Sequence, residues 1–548
     1  MSTVLDSKIN NAPQTPNTIS PQSDELGLAH GPSLSWDILL YILPFTLTSN
    51  LNSLRRETLS RFMRTCQTLY DAGVLLILKG LIPLNSRTIL SFCDFILNAK
   101  IPQRRSDNVR RLAIFELRLE LPRATAERIS DMLKSLRNIQ NLVFLDLEPL
   151  LVALDDDFTP SWPRLVDIFI GSMGKKCTAF VSRLEDSPIS KAHLAWTYPP
   201  PDEADNFDAR NRFTPSTIRP FTQTLTSLSI LNPGILVPNV NIRFPHVHTL
   251  QIESYYVGLS QDILVFTYPN VKTLVWLRDP DPSDIGPAEG NARRVNSGGI
   301  VAMMLPAPWV PWKGLDQLSC TTRRAYTLAM RCKVRYWVAS VLQPQRVSQF
   351  QAVLRDIRPT FLRLTIKPAA FEDLAGMADI FPYGWQDTTG MIITFAWTSR
   401  PEDQVDVERL LEHIVQCLSQ TRSVTTLILR IAYKRISPLR LLLDDHNTNL
   451  QELTESQVSK LDELGPPTAT SQYLTTLDTR KYARRLVDRM PHLTFLTICV
   501  CGQDSTGTSW KVGVSESRDM VIAEEDEQKE LLKPTPFATD YSNCQDDF

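Results

Sequence analysis

Glycine is scarce in this 548-residue chain, with 20 residues against 38 prolines. That ratio argues against flexible glycine hinges and for many short, rigid connections. The nine cysteines are odd in number and scattered, and none form a C-x-x-C pair, so no disulfide framework or zinc site is indicated. Reduced thiols, in the cytoplasm or nucleus, are the expectation. No basic-plus-apolar leader opens the chain. The longest apolar run, Val74 to Leu78 and on past Lys79 to Leu84, falls far short of the roughly 20 residues a membrane span needs. A membrane is therefore not an expected partner. The formal net charge of -2 gives no electrostatic reason to expect nucleic acid either.

Groupings that carry chemistry are also missing. Serine nucleophile elbows, H-E-x-x-H and dinucleotide fingerprints are absent. The stretch from Gly171 to Lys176 imitates a phosphate loop, but it lacks the spaced first glycine and the hydroxyl after lysine that would hold magnesium, so it reads as a turn. His246 and His248 alternate on an expected strand without a third ligand beside them and read as surface histidines. Cys499 and Cys501 alternate likewise and read as small apolar fillers. Arg323, Arg324, Arg331, Lys333 and Arg335 interleave with Tyr326, Tyr336 and Trp337. That group reads as a solvated helix face, with RNA contact as the lesser alternative. No enzyme activity, cofactor or metal is expected.

What the chain does contain is the composition of a folded protein, 43% hydrophobic and 22% charged, at a length that calls for an elongated domain or several domains. Residues 1–31 are rich in Ser, Pro, Asn, Gln and Thr and are expected to be disordered. Two short amphipathic helices are expected next. The first carries Ile38, Leu39, Ile42 and Leu43 on one face and is closed by Pro44. The second carries Leu59, Phe62, Met63, Cys66, Leu69 and Tyr70. Each bears more apolar surface than so small a pair can bury, so it docks on the next domain or presents a face to a partner.

Beyond Arg104 a pattern of apolar-x-x-apolar-x-apolar recurs. Copies are read at Val109-Leu112-Ile114, Leu142-Leu145-Leu147, Leu165-Ile168-Ile170, Leu225-Leu228-Ile230, Val247-Leu250-Ile252 and Val271-Leu274-Trp276. Later ones are read at Phe361-Leu364-Ile366, Val424-Leu427-Leu429 and Leu493-Leu496-Ile498. Several follow a Pro after Trp162, Phe244, Tyr268 or Met490, read as a strand entrance. Adjacent copies lie 23, 22 and 24 residues apart at Leu145–Ile168, Leu228–Leu250 and Leu250–Leu274. Helical returns at 124–136 and 405–419 separate strands, which implies crossovers and a parallel sheet. Polar inserts interrupt the period near 198–216, 279–299 and 443–472. After Gly513 the pattern ends, and Glu524 to Glu527 opens an acidic tail over 513–548 that is expected to be disordered.

Leu34, Asp37, Ile38, Leu39, Ile42, Leu43, Leu59, Arg64, Cys66, Leu69 and Tyr70 resemble the F-box, a three-helix module that binds the Skp adaptor of a cullin-based ubiquitin ligase. The repeats resemble the leucine-rich-repeat family, whose period is roughly 20–29 residues. The asparagine usual after the strand is replaced by Leu150, Pro233, Tyr255 and Asp279, so an irregular solenoid is expected. The resemblance implies an α/β fold: an F-box-like helical module over 32–82, then an irregular leucine-rich-repeat-like solenoid with a parallel sheet over 83–512. It also implies a substrate-recruiting subunit of an SCF-type ligase, with a Skp adaptor, a cullin scaffold and an unknown target protein as partners. Leu34, Ile38, Leu39, Ile42, Leu43, Phe62, Cys66 and Leu69 would meet the adaptor. Strand positions that alternate away from the core would meet the target, namely Phe144, Asp146, Phe169, Gln251, Glu253, Val275 and Arg430. The alternative is a protein-interaction scaffold with no ubiquitin-ligase role.

Overall fold

The computed structural model describes residues 61–524 apart from 62, 65–66, 99–104, 118–120, 155–157, 197–214, 232–241, 254–260, 278–286, 299–309, 372–373, 384, 399–404, 435–468, 502–505 and 514–517. The chain divides into two compact units between Ile77 and Leu78. In the first, Arg61 and Met63 are helical and helix α1 (Gln67–Lys79) follows. A Cβ on Gly73 would come within 2.4 Å of Met63 Cγ, so glycine lets the α1 backbone approach that side chain. The sequence pattern ends this helix at Tyr70. It runs nine residues further, through a segment without proline in which three leucines and a lysine favour helix. Leu34, Ile38, Leu39, Ile42, Leu43, Phe62 and Cys66 lie outside the described residues, and so does the side chain of Leu69.

The second unit alternates strand and helix. It opens with β1 (Leu81–Leu84), α2 (Ile89–Leu97), β2 (Arg111–Ile114), α3 (Arg123–Ser135), β3 (Asn141–Phe144) and α4 (Glu148–Leu154). Then come β4 (Asp167–Met173), α5 (Lys175–Val181), β5 (Lys191–Trp196), β6 (Ser227–Leu231), β7 (Thr249–Glu253), α6 (Gln261–Thr267) and β8 (Thr273–Leu277). Next are α7 (Pro287–Ser297), β9 (Gly314–Cys320), α8 (Thr322–Leu328), β10 (Lys333–Leu342), α9 (Val347–Ile357), β11 (Phe361–Ile366) and β12 (Gly390–Thr398). The last are α10 (Val407–Ser419), β13 (Thr426–Lys434), α11 (Ala469–Thr475), α12 (Thr479–Arg489), β14 (Phe495–Cys501), β15 (Thr506–Val512) and β16 (Met520–Ile522).

The described strands form one sheet in strict chain order, parallel from β1 to β14 and antiparallel for the last two pairings. A right-handed crossover repeated in one direction returns every helix to the same face. Neighbouring helices accordingly touch in sequence, as in α2–α3–α4–α5, α7–α8–α9 and α10–α12. The sheet therefore has one helix-covered face and one opposite face, here termed the open face. An α/β fold with a mostly parallel sheet is as expected. The antiparallel end does not, and β16 and helix α7 lie where a disordered tail and an insert loop are expected.

Packing fixes the register. Leu112, Leu142, Ile168, Ala192, Leu228, Leu250, Leu274 and Leu318 stand side by side and are buried against the helices. The prolines precede the strands rather than entering them. Trp162, Phe244 and Met490 each accept a backbone bond from the residue three further on, which places Pro163, Pro245 and Pro491 second in a tight turn. Strand entrances are laced together without an asparagine ladder. At most entrances the carbonyl just before one strand accepts two successive N–H groups leading into the next, as Val166 O does from Ser190 and Lys191. Hydroxyls reinforce the ladder: Ser190, Thr226, Thr425 and Thr494 donate to Val166 O, Ser190 O, Thr389 O and Thr425 O at 3.0–3.2 Å.

Candidate binding surface

Side chains that alternate away from the helices fall into rows across the open face. One row reads Asn141, Asp167, Lys191, Ser227, Thr249, Thr273, and the next reads Val143, Phe169, His193, Ser229, Gln251, Val275. Over β3–β8 these residues are half-buried apart from Lys191, which is exposed, so the face is built from the sheet itself yet reachable. Its chemistry is mixed. Asn141 Nδ2 donates to Asp167 Oδ2 at 3.0 Å, and Lys191 is the register neighbour of Asp167. The rings of Phe169 and His193 stack with centroids 4.2 Å apart and planes 4° apart. Burial pushes the His193 pKa below its ordinary value, with Asp167 opposing, so the imidazole stays neutral beside the phenyl ring. A Cβ at Gly171 would lie 2.9 Å from Leu145 O, so glycine is needed where these strands approach closely.

Four of the expected target-facing residues, Phe169, Gln251, Glu253 and Val275, stand on this surface. Phe144 does not. It pairs in register with Ile170 and is buried against the helices, because the copy runs Ile139-Leu142-Phe144 and not Leu142-Leu145-Leu147. Leu145, expected inside, is 40% exposed. Asp146 lies past the strand end. Its Oδ1 is buried without a hydrogen bond, and burial raises the carboxyl pKa. Arg430 does alternate toward the open face, but it is only 4% exposed. There the face is closed, since Tyr336, Ile392, Ile428, Phe495 and Ala523 form a second apolar cluster with Phe361 at its edge. Asn141, Asp167, Lys191 and His193 escape sequence reading. The β5 copy, Ile189-Ala192-Leu194, has only alanine at its middle position, which mutes the pattern.

The other sequence candidates have structural roles. In the Gly171–Lys176 turn the backbone N–H groups of Gly174, Lys176 and Cys177 all donate to the Glu148 carboxylate at 2.8–3.1 Å, leaving no cradle for a phosphate. His246 and His248 precede β7 rather than alternating on it, and His248 Nδ1 lies 3.1 Å from Asn270 O. Cys499 is buried, as a filler should be. The arginine cluster is split: Arg323 and Arg324 on α8 are 6% and 1% exposed and do not form a solvated face. Glu289, itself 2% exposed, lies 2.6 Å from Arg323 Nε and 3.1 Å from Arg346 Nη1, while Gln349 Nε2 donates to it at 2.9 Å. The Arg324 guanidinium stands 4.9 Å over Trp276, and Trp337 stacks on Phe350. These groups knit α7, α8 and α9 together, while Arg331, Lys333 and Arg335 are exposed, the last two on β10 rather than on a helix.

Among the described residues no set of three His, Cys, Asp or Glu side chains could hold a metal, and no helix is long and apolar enough to cross a membrane. No family model and no curated protein matches the chain.

Proposed function

We propose that this chain is a substrate-recruiting receptor of an SCF-type ubiquitin ligase, acting in the cytoplasm or nucleus without chemistry of its own. The observation that carries the target-binding half is the open face over β3–β8, where half-buried polar, aromatic and charged side chains stand in register on a rigid sheet. Such a face suits recognition of another protein: the Phe169–His193 stack supplies an apolar platform, and Asn141, Asp167, Lys191, Gln251 and Glu253 supply directional contacts. The adaptor-binding half rests on the F-box-like residues Leu34, Ile38, Leu39, Ile42, Leu43, Phe62, Cys66 and Leu69. The cullin scaffold joins through the adaptor. Rate enhancement then comes from effective concentration, with the target held near a ubiquitin-charged enzyme.

Ile38→Asp combined with Ile42→Asp tests the adaptor half. A carboxylate forced into a desolvated groove costs about 2–5 kcal/mol. Co-purification of the Skp adaptor should be lost while the urea unfolding midpoint of the chain is unchanged. Wild-type adaptor yield from the double variant would instead favour a scaffold with no link to ubiquitin.

A further inference from the structure

The sheet ends at β16, and its outer edge is unlike that of β1. Strand β1 contains Pro83, which has no N–H to offer. Strand β16 is Met520-Val521-Ile522, with Val521 and Ile522 each 63% exposed. Gly513 N donates to Asp519 O and Ala523 N donates to Ser509 O, so Asp519 and Ala523 turn their ladder groups inward. Alternation then directs the N–H and C=O of Met520 and Ile522 away from β15. Register puts Met520 and Ile522 opposite Val512 and Trp510, on the helix side of the sheet.

That side meets a basic, exposed face of helix α12. A cleft of about 540 Å³ is walled by Arg480, Lys481, Arg484 and Arg485 of α12 together with Asp519 and Met520. Arg485 pairs with Glu412, and Arg484 Nε with Asp488 at 3.0 Å. The Asp478 carboxylate is engaged as the helix cap, accepting from Lys481 N at 2.9 Å. Asp478 and Asp519 also line the cleft, but four cations face these two carboxylates, and Arg480 and Lys481 give it a net positive sign.

We propose that β16 and α12 form a docking site for an extended segment of a partner protein in which acidic and apolar residues alternate. The segment adds as a further strand on β16, using the outward groups of Met520 and Ile522. Because strand side chains alternate, every second residue falls on the α12 side and meets Arg480 and Lys481, and the residues between lie beside Val521. A segment of this chemistry satisfies both the edge and the charge. The chain's own Glu524-Glu525-Asp526-Glu527 is a block of acid, not an alternation, and does not fit that spacing. The site is separate from the β3–β8 stretch of the open face and does not depend on the adaptor reading.

The test is fluorescence anisotropy of the full chain with labelled Glu-Val-Glu-Thr-Glu-Val-Glu. The expected result is saturable binding that weakens at least about tenfold, or about 1.4 kcal/mol, for the permuted peptide Glu-Glu-Glu-Glu-Val-Thr-Val and for Gln in place of Glu. Ile522→Pro, which removes an outward donor and no β15 bond, and Arg480→Glu with Lys481→Glu should each abolish binding at an unchanged urea midpoint. Equal binding of the permuted peptide, binding that survives Ile522→Pro, or tighter binding of a single-stranded oligonucleotide would overturn the proposal. So would binding that appears only after deletion of residues 525–548, which would make the chain's own tail the occupant.

Discussion

Gly174 and Glu148 show how a single residue can decide whether a loop is a site. The loop has the glycine and lysines of a phosphate cradle, yet a carboxylate from the preceding repeat accepts three of its N–H groups. A Cβ at Gly174 would lie 2.4–2.7 Å from that carboxylate. Gly174→Ala should therefore destabilise the protein by about 1–3 kcal/mol through overpacking, read as a lower urea midpoint at constant slope. A change within about 0.5 kcal/mol would mean that the cap is loose. At Glu289 the argument is electrostatic. Its removal leaves Arg323 and Arg346 buried without their carboxylate, and breaking such a buried pair costs about 3–5 kcal/mol. Glu289→Ala should show that loss in the urea midpoint, whereas Glu127→Ala, in an exposed pair with Arg123, should cost less than about 1 kcal/mol. Buried thiols set an alkaline limit, with Cys93 and Cys332 contributing beside Cys177 and Cys417, whose pKa values burial also raises. Burial pushes Cys93 and Cys332 from 9.0 up to about 11. Above about pH 9 the unfolded chain loses these protons first, so folding free energy falls from about pH 9 to about 11. Over that window Cys93→Ala with Cys332→Ala should lose less stability than wild type; equal losses would show that these thiols are not responsible.

At the scale of elements, legibility followed side-chain size. Copies such as Leu225-Leu228-Ile230 were plain because large aliphatic residues face the helices and polar ones alternate with them. The register slipped at β3 because exposed Leu145 and loop residue Leu147 happen to repeat the spacing that belongs to Leu142 and Phe144. It slipped again at β11, where Phe361 lies at the edge of the open-face cluster while Leu362, Leu364 and Ile366 face the helices. Strands β5, β9 and β10 were silent because Ala192, Cys320 and Ala339 hold places that leucine or isoleucine would have announced. The buried arginines could not be read at all. A cluster of charge looks the same in sequence whether it faces water or, as here, a glutamate brought from 34 residues earlier by the α7–α8 contact. The end of the pattern at Gly513 hid β15's partner for a different reason. Arg518, with a positive φ of 46°, donates to Val487 O and Met490 O at the end of α12 and to Leu493 O in the turn before β14, and so returns the chain for one more strand.

At the scale of the whole molecule, the proposed receptor has two jobs resting on different residues. Adaptor binding is assigned to Ile38, Ile42 and their neighbours, and target binding to the β3–β8 open face. The sheet supports the second assignment physically, since helices bury one face of strands β3–β8 and leave the other to be specified by function. The most direct test is quantitative affinity purification of two variants beside wild type, with proteasome activity blocked. Phe169→Asp with Gln251→Arg should lose target proteins and keep the Skp adaptor, while Ile38→Asp with Ile42→Asp should keep target proteins and lose the adaptor. If both variants retain the same partners as wild type, or both lose the same ones, the division of labour proposed for this chain is wrong.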